Sequence, residues 1–93
     1  MATKKITAFY IDGCPYCRQA RTALKELTAE NEKFSSVSLE WINENQHPEI
    51  SEKFDYNYVP AMFIEGKKIY EAHRGESFEE CKGNVKRVLE AAM

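Results

Sequence analysis

The pattern of apolar and polar positions along the chain predicts four strands. The run from Ile6 to Ile11 is almost entirely apolar or β-favouring, as is typical of a central strand covered on both faces. Between Phe34 and Ile42 the apolar residues alternate with polar ones, which predicts a second strand. Ala61–Ile64 and Lys67–Ala72 flank a Glu65-Gly66 turn. We therefore expect these last two strands to pair as a hairpin.

Helical spacing predicts three helices between and after the strands. The first follows from Arg18 to Glu32, and a short second helix starts at Pro48. The third lies beyond a break at Gly75. The expected inward-facing residues are, in the first helix, Cys17, Ala20, Leu24 and Leu27; in the second, Ile50 and Phe54; in the third, Phe78, Cys81, Val85, Val88, Leu89 and Ala92.

The order of these elements, β-α-β-α-β-β-α, indicates the α/β class. The first strand, helix and strand should form a right-handed parallel crossover, and the hairpin should add antiparallel strands to the same sheet. This arrangement gives a four-stranded mixed sheet flanked by three helices. The pattern contains no linker or repeat, so we expect residues 1–93 to form a single domain.

Composition narrows the classes of function. The chain has 93 residues and a net charge of −2, which argues against binding to nucleic acid or to an anionic membrane. It contains no apolar stretch of membrane-spanning length, and Met1–Lys5 lead straight into the first strand without an apolar signal region. Three cysteines, one of them outside any close pair, favour a reducing compartment. We therefore expect a cytoplasmic protein that does not contact membranes.

The most informative motif is Cys14-Pro15-Tyr16-Cys17, between the first strand and the first helix. Unpaired N–H groups at a helix N-terminus favour a thiolate, which is the species that attacks disulfides. Pro15 suits the first helical position. Cys17 lies on the inward stripe, whereas Cys14 lies ahead of it and should face solvent. This spacing predicts thiol–disulfide exchange.

Two other interpretations of the cysteines are weaker. A structural zinc site needs four ligands, and the remaining candidates, Cys81, His47 and His73, lack ligand spacing, so we expect no metal. A purely structural disulfide across so short a loop would constrain the unfolded chain very little. Cys81 falls on the apolar stripe of the last helix, which favours a buried apolar role.

The chain resembles a glutaredoxin of the dithiol type, within the thioredoxin-fold superfamily. The resemblance rests on Phe9-Tyr10, the Cys14–Cys17 motif, Tyr58-Val59-Pro60 and Phe63–Lys67, which together span most of the chain. It implies the thioredoxin fold, with Cys14 as the attacking thiol and Cys17 as the resolving thiol. It also implies a cis Val59-Pro60 bond that faces the dithiol and leaves backbone groups free to pair with a bound peptide.

The chain departs from the glutaredoxin pattern at two places. Ile11 stands where the family usually carries a lysine that meets a glutathione carboxylate. The stretch from Tyr70 to Ser77 replaces the family's Gly-Gly-x-Asp-Asp, although Gly75-Glu76-Ser77 can still supply a turn and a helix N-cap. We expect Glu76 to repel the glutathione carboxylate. Residues 54–60 and the ending from Arg74 onward look closer to thioredoxin.

These observations predict an enzyme: a glutaredoxin-like oxidoreductase that reduces protein or low-molecular-weight disulfides through a Cys14–Cys17 cycle. Such a protein serves electron transport and cell redox homeostasis. We expect a monomer without a cofactor, with glutathione as a candidate co-substrate and either glutathione or a thioredoxin reductase as electron donor. An alternative is an iron–sulfur or zinc binding module that uses Cys14. The expected substrate contacts are Tyr16, Arg18, Val59, Pro60, Gly75 and Glu76.

Overall fold

The computed structural model describes residues 4–93, so most of the expected Met1–Lys5 lead-in lies outside the described residues. The elements along the chain are β1 (Ile6–Tyr10), α1 (Pro15–Glu30), a 3₁₀ helix (Glu32–Ser36), β2 (Leu39–Asn43), α2 (Pro48–Ser51), β3 (Ala61–Ile64), β4 (Lys67–Glu71) and α3 (Phe78–Ala91). Apart from the 3₁₀ helix, this is the element order that the sequence pattern predicts.

The four strands form one mixed sheet in the order β2-β1-β3-β4. β1 runs parallel to β2 and antiparallel to β3, and β4 pairs antiparallel with β3. The hairpin turn has φ values of 51° at Glu65 and 81° at Gly66. Two consecutive residues in the left-handed region match the twist of a tight hairpin. The expected parallel pairing of β1 with β2 and the expected hairpin are both confirmed, and β1 lies inside the sheet between β2 and β3.

The sheet has a hydrophobic core on each face, as the nearly continuous apolar run of β1 predicts. On one face, α1 and α3 cover a large cluster that includes Ile6, Met62 and Val85. On the other face, Phe9 packs against Phe54 and Tyr56, with ring centroids 4.8 Å and 5.1 Å apart. The second cluster also contains Val59, so it fixes the chain segment that enters β3.

The start of β2, both ends of α1 and one helix face differ from the prediction. The second strand begins at Leu39 instead of Phe34, because the Asn31 side chain accepts the Lys33 N–H and starts a 3₁₀ helix whose Phe34 is buried. α1 begins at Pro15 and ends at Glu30. On its inward face Ala23 is fully buried, whereas Leu24 is only partly buried. A small residue at position 23 suits the close packing of α1 on α3.

Candidate active site

Cys14 occupies the N-cap of α1. Its backbone is extended, with φ −88° and ψ 116°, and its Sγ accepts the Cys17 N–H at 3.4 Å. Pro15 takes the first helical position, where its missing N–H costs no hydrogen bond. The Cys14 side chain is partly exposed. A sulfur that already accepts a backbone N–H at the positive end of a helix is in a place that stabilises a thiolate.

Cys17 lies directly behind Cys14 and is only 3% exposed. Burial, together with the neighbouring Cys14, raises the pKa of Cys17 to about 12, although a hydrogen bond to the backbone of Ile11 and the charge of Arg21 act in the opposite direction. Cys17 is therefore a protonated thiol at neutral pH. The predicted separation of an accessible thiol from an inward one is confirmed.

The Val59-Pro60 bond is cis, as predicted, and it lies next to the dithiol. The Cys14 Sγ donates to the Val59 carbonyl oxygen at 3.8 Å. Pro60 is buried, and Tyr58, two positions before it, is 58% exposed. The segment therefore places the Val59 carbonyl against the reactive sulfur and carries an exposed aromatic side chain one residue earlier.

Glu71 holds this segment in place, and sequence reasoning missed it. The β3–β4 register sets Glu71 opposite Ala61, so its carboxylate reaches back to accept the backbone N–H of Asn57 and that of Tyr58, the latter at 2.7 Å. Lys68 pairs with the same carboxylate at 2.8 Å. Burial opposes ionisation of Glu71, but these contacts outweigh it and lower its pKa. The periodicity of the sequence does not indicate this role, because the position of Glu71 beside residues 57 and 58 depends on the register of β3 and β4.

Two expected substrate-contact residues, Tyr16 and Gly75, are joined directly. The Tyr16 hydroxyl accepts the Gly75 N–H at 2.7 Å, and Gly75 has φ 83°, which favours glycine. The Gln19 amide adds hydrogen bonds to the carbonyls of Glu76 and Ser77, at 3.2 Å and 3.3 Å. The start of α1 is thus fixed to the turn before α3.

The expectation that Glu76 contacts and repels substrate is wrong, because its side chain points inward and is only 4% exposed. Its carboxylate accepts the Tyr70 hydroxyl and the Asn84 amide, the latter at 3.1 Å. Burial, with Glu76 and Cys81 as neighbours, raises the pKa of Tyr70 well above its usual range. The capping box of Ser77 and Glu80 confirms the expected helix N-cap. Glu76, one position before this N-cap, faces the interior and not the substrate surface.

The third cysteine belongs to this interior. Cys81 is fully buried and accepts a contact from the Tyr70 hydroxyl at 3.6 Å. Burial raises the pKa of Cys81 as well. The predicted buried role is confirmed.

Beside the dithiol lies a hollow of about 310 Å³, lined by residues 10–14 together with Cys17, Arg18 and Arg21. Arg18, an expected substrate-contact residue, is exposed beside this hollow. The Arg21 guanidinium lies over the rings of Tyr10 and Trp41, at 4.7 Å and 4.4 Å from their centroids. Ile11 also lines the hollow, so the positive charge near Cys14 comes from two arginines on α1.

Residues 4–93 contain no group of three or more His, Cys, Asp or Glu side chains arranged to hold a metal ion. Within that same range, no helix has the length and apolar character needed to cross a membrane.

Known proteins resemble this chain in fold. The family model for "Glutathione S-transferase, N-terminal domain" matches residues 9–74. No curated protein sequence matches the chain. Thioredoxin 1 from the thermophilic eubacterium Thermosipho africanus TCF52B has 21% identity and a TM-score of 0.58, over 94% of this chain and 96% of that one.

Two further thioredoxins are structurally similar. The oxidised thioredoxin from Plasmodium falciparum has 14% identity and a TM-score of 0.66, over 99% of this chain and 84% of that one. Mitochondrial thioredoxin 3 from Saccharomyces cerevisiae, also in the oxidised form, has 17% identity and a TM-score of 0.62, over 94% and 80%. With the sheet order and the flanking helices, these similarities establish the thioredoxin fold.

Proposed function

Because the chain belongs to the family of glutathione S-transferase N-terminal domains, which have the thioredoxin fold, we propose that it is a glutaredoxin-like thiol–disulfide oxidoreductase. The observation that carries this proposal is the pairing of two unlike thiols at one helix start. The Cys14 sulfur is accessible and accepts an α1 N–H, whereas the Cys17 thiol is buried and protonated.

The catalytic cycle follows from this difference between the thiols. The Cys14 thiolate attacks one sulfur of a substrate disulfide, which forms a mixed disulfide and releases the other sulfur as a thiolate that takes up a proton. Cys17 then loses its proton and attacks the Cys14 sulfur. The second substrate thiol leaves, and a Cys14–Cys17 disulfide remains. Two electrons have passed from the dithiol to the substrate.

The effect of Cys14 on the pKa of Cys17 accounts for the proposed order in which the two thiols react. Both the hydrogen bond and the charge of Cys14 contribute to the raised pKa of Cys17. Once Cys14 is held in a mixed disulfide, its negative charge is gone and those contributions vanish. Burial remains the largest cause of the raised pKa, but without these contributions Cys17 loses its proton more easily after the first attack, when a resolving thiolate is needed.

We propose glutathione as the reductant that reopens the Cys14–Cys17 disulfide, with a thioredoxin reductase as the alternative electron donor. The matching family is named for glutathione S-transferases, and the inward position of Glu76 removes the expected repulsion of the glutathione carboxylate. The structural similarity to thioredoxins supports the alternative donor, a thioredoxin reductase. Without a lysine at position 11, we expect glutathione binding to be weak, by about one to two decades in affinity for one lost charge-assisted hydrogen bond.

Coupled assays that follow NADPH oxidation test both parts of the proposal. Reduction of a small disulfide should proceed with glutathione plus glutathione reductase, and Cys14→Ser should abolish it. Cys17→Ser should accumulate mixed disulfides with substrate, whereas Cys81→Ser, the matched control, should leave turnover intact. Activity with thioredoxin reductase but not with glutathione would identify a thioredoxin reductase as the electron donor. Full activity of Cys14→Ser would reject the proposed oxidoreductase function.

The alternative of a metal-binding module gives a different observable. A cluster or zinc ion bound through Cys14 would require ligands from a second copy or from glutathione. Protein purified without air should then absorb visible light if a cluster is present, and should release zinc on denaturation if zinc is present. We expect neither signal, because Pro15 stiffens the loop and Cys17 is positioned to close a disulfide with Cys14.

A further inference from the structure

We propose that the substrate docks through an acidic, partly apolar segment lying in a groove along α1, an inference that rests on the proposed function. We call this the α1 groove. One wall consists of Arg18, Arg21 and Lys25 on α1, and the other consists of Val37, Leu39 and Trp41 on and before β2.

The α1 groove begins beside the dithiol, because two hollows along α1 adjoin at Arg21, whose guanidinium lies over the rings of Tyr10 and Trp41. The hollow of about 310 Å³ beside Cys14 shares Arg21 with a second hollow of about 370 Å³ between α1, β2 and the 3₁₀ helix. The second hollow extends along α1 as far as Thr28. At 1.5 Å per helical residue, the distance along α1 from Cys14 to Thr28 is about 21 Å, which an extended segment of about six residues can span.

The charge of the groove selects for an acidic segment. Arg18, Arg21 and Lys25 are spaced by three and four residues, so they share one face of α1, and all three are exposed. Within residues 4–93 none of the three forms an ion pair with a carboxylate. Asp12 is the sole acidic residue of the described lining of the two hollows. The chain as a whole is acidic, with a net charge of −2, so this positive face is a local feature.

The opposite wall of the groove favours an apolar side chain within the same segment. Leu39 and Trp41 are only partly buried on β2, which is an edge strand of the sheet. Leu24 and Phe34 add to the floor. An acidic segment would be attracted to the cationic wall over long range, and one apolar residue would bury against Trp41 and Leu39. A small disulfide reaches Cys14 without using this groove.

The experiment compares peptides that differ only in charge. Each peptide carries a central cysteine, protected as a disulfide with 2-mercaptoethanol, flanked on both sides by six residues. One version has glutamates and a leucine in each flank, and the other has lysines in place of the glutamates. Bis(2-hydroxyethyl) disulfide is the substrate that bypasses the groove. The measured quantity is kcat/KM for each substrate at low and high salt.

Lys25→Glu is the test variant, and Lys86→Glu is its control. Both substitutions change net charge equally, but Lys86 is an exposed residue of α3, which packs on α1 and on β4, the strand at the opposite edge of the sheet from β2. Lys25→Glu should lower kcat/KM for the acidic peptide by about threefold to tenfold at low salt, an effect that high salt removes. It should leave the small disulfide unaffected, and Lys86→Glu should leave all substrates unaffected.

Several results would overturn the proposal. Equal loss in Lys25→Glu and Lys86→Glu would indicate a general effect of net charge. If the unmodified protein reduces both peptides equally well while still reducing the small disulfide, the groove is rejected and the oxidoreductase function stands. If the small disulfide is not reduced at all, the oxidoreductase function fails and the groove fails with it.

A direct measurement locates the peptide. Cys17→Ser joined to the acidic peptide through Cys14 should show peptide-dependent amide chemical-shift changes at Lys25, Thr28 and Leu39. Changes confined to the amides of Tyr58 and Val59 and of residues 73–77 would place the peptide on the other side of Cys14. That result would also overturn the proposal.

Discussion

Replacing Glu76 with alanine should destabilise the protein strongly, although this residue is an acid in a predicted surface turn. Its carboxylate accepts the Tyr70 hydroxyl and the Asn84 amide, and the side chain is 4% exposed. Tyr70 itself is 3% exposed. Alanine at position 76 would leave the Tyr70 hydroxyl buried without its carboxylate acceptor and would loosen the turn that Tyr16 and Gln19 hold.

The size of the effect follows from these two hydrogen bonds. A bond to a charged group contributes roughly 1.5–3 kcal/mol, but the partly buried Asn84 can recover some of its loss by hydration, so we expect a total loss of about 2–4 kcal/mol. A domain of this size has a free energy of unfolding of about 5–14 kcal/mol. With a urea m-value of about 1–1.5 kcal/mol/M, the unfolding midpoint should fall by about 2 M.

Urea denaturation followed by circular dichroism measures this change. Glu76→Gln, which keeps an acceptor oxygen for Tyr70, should cost about 1 kcal/mol, whereas Tyr70→Phe, which removes the hydroxyl bonded to the carboxylate, should cost roughly 1.5–3 kcal/mol. Glu79→Ala is the matched control, because Glu79 is an exposed residue in the first turn of α3. If Glu76→Ala is as stable as Glu79→Ala to within about 0.5 kcal/mol, the carboxylate does not anchor the turn and the reasoning is refuted.

Three further predictions concern the reactive site. Iodoacetamide at about pH 6 should label Cys14 well before Cys17 and Cys81, whose thiols are buried and have raised pKa values; equal labelling by mass spectrometry would contradict this. Glu71→Gln should lower stability at about pH 7, and by progressively less as the pH falls below 4.5. A carboxylate with a lowered pKa stabilises the fold above its unfolded pKa of 4.5, and this contribution is lost as pH falls through the lower folded-state pKa. A pH-independent cost would argue against the carboxylate role. Ile11→Lys should increase glutathione-dependent turnover, most at low salt, whereas unchanged turnover would show that Arg18 or Arg21 already meets the glutathione carboxylate.

The reactive motif could be assigned from sequence because its information is local. An apolar strand, two cysteines three positions apart and a proline at the first helical position together specify a helix start with one thiol outside and one inside. The spacing of Cys17 and Ala20 fixes which side of α1 faces the sheet, whatever the rest of the chain does. The Glu65-Gly66 turn is local in the same sense, since two left-handed residues define the hairpin that follows.

Element boundaries were less well determined, for a physical reason visible at Phe34. An alternating pattern shows which residues of a strand share a face, but it does not show where the strand begins. Phe34 is apolar, so burial of its side chain is compatible with either a strand or a helix. In the structure the Asn31 side chain caps a 3₁₀ helix, and Phe34 is buried as part of that helix. Residues 32–36 therefore form a 3₁₀ helix that is capped by the Asn31 side chain, although the alternating pattern predicts a strand there.

Only the tertiary structure decided which distant residues meet at the dithiol. The Cys14 sulfur meets a carbonyl 45 residues away, and the Tyr16 hydroxyl meets an N–H 59 residues away. Glu71 reaches the segment before Val59 through the register of β3 and β4, and Glu76 points inward to the Tyr70 hydroxyl and the Asn84 amide. These contacts depend on strand register and loop path, which no periodicity along the chain records. The sequence by itself therefore determined the two thiols and their helix, while the packing of β3, β4 and α3 around them decided which surface a substrate meets.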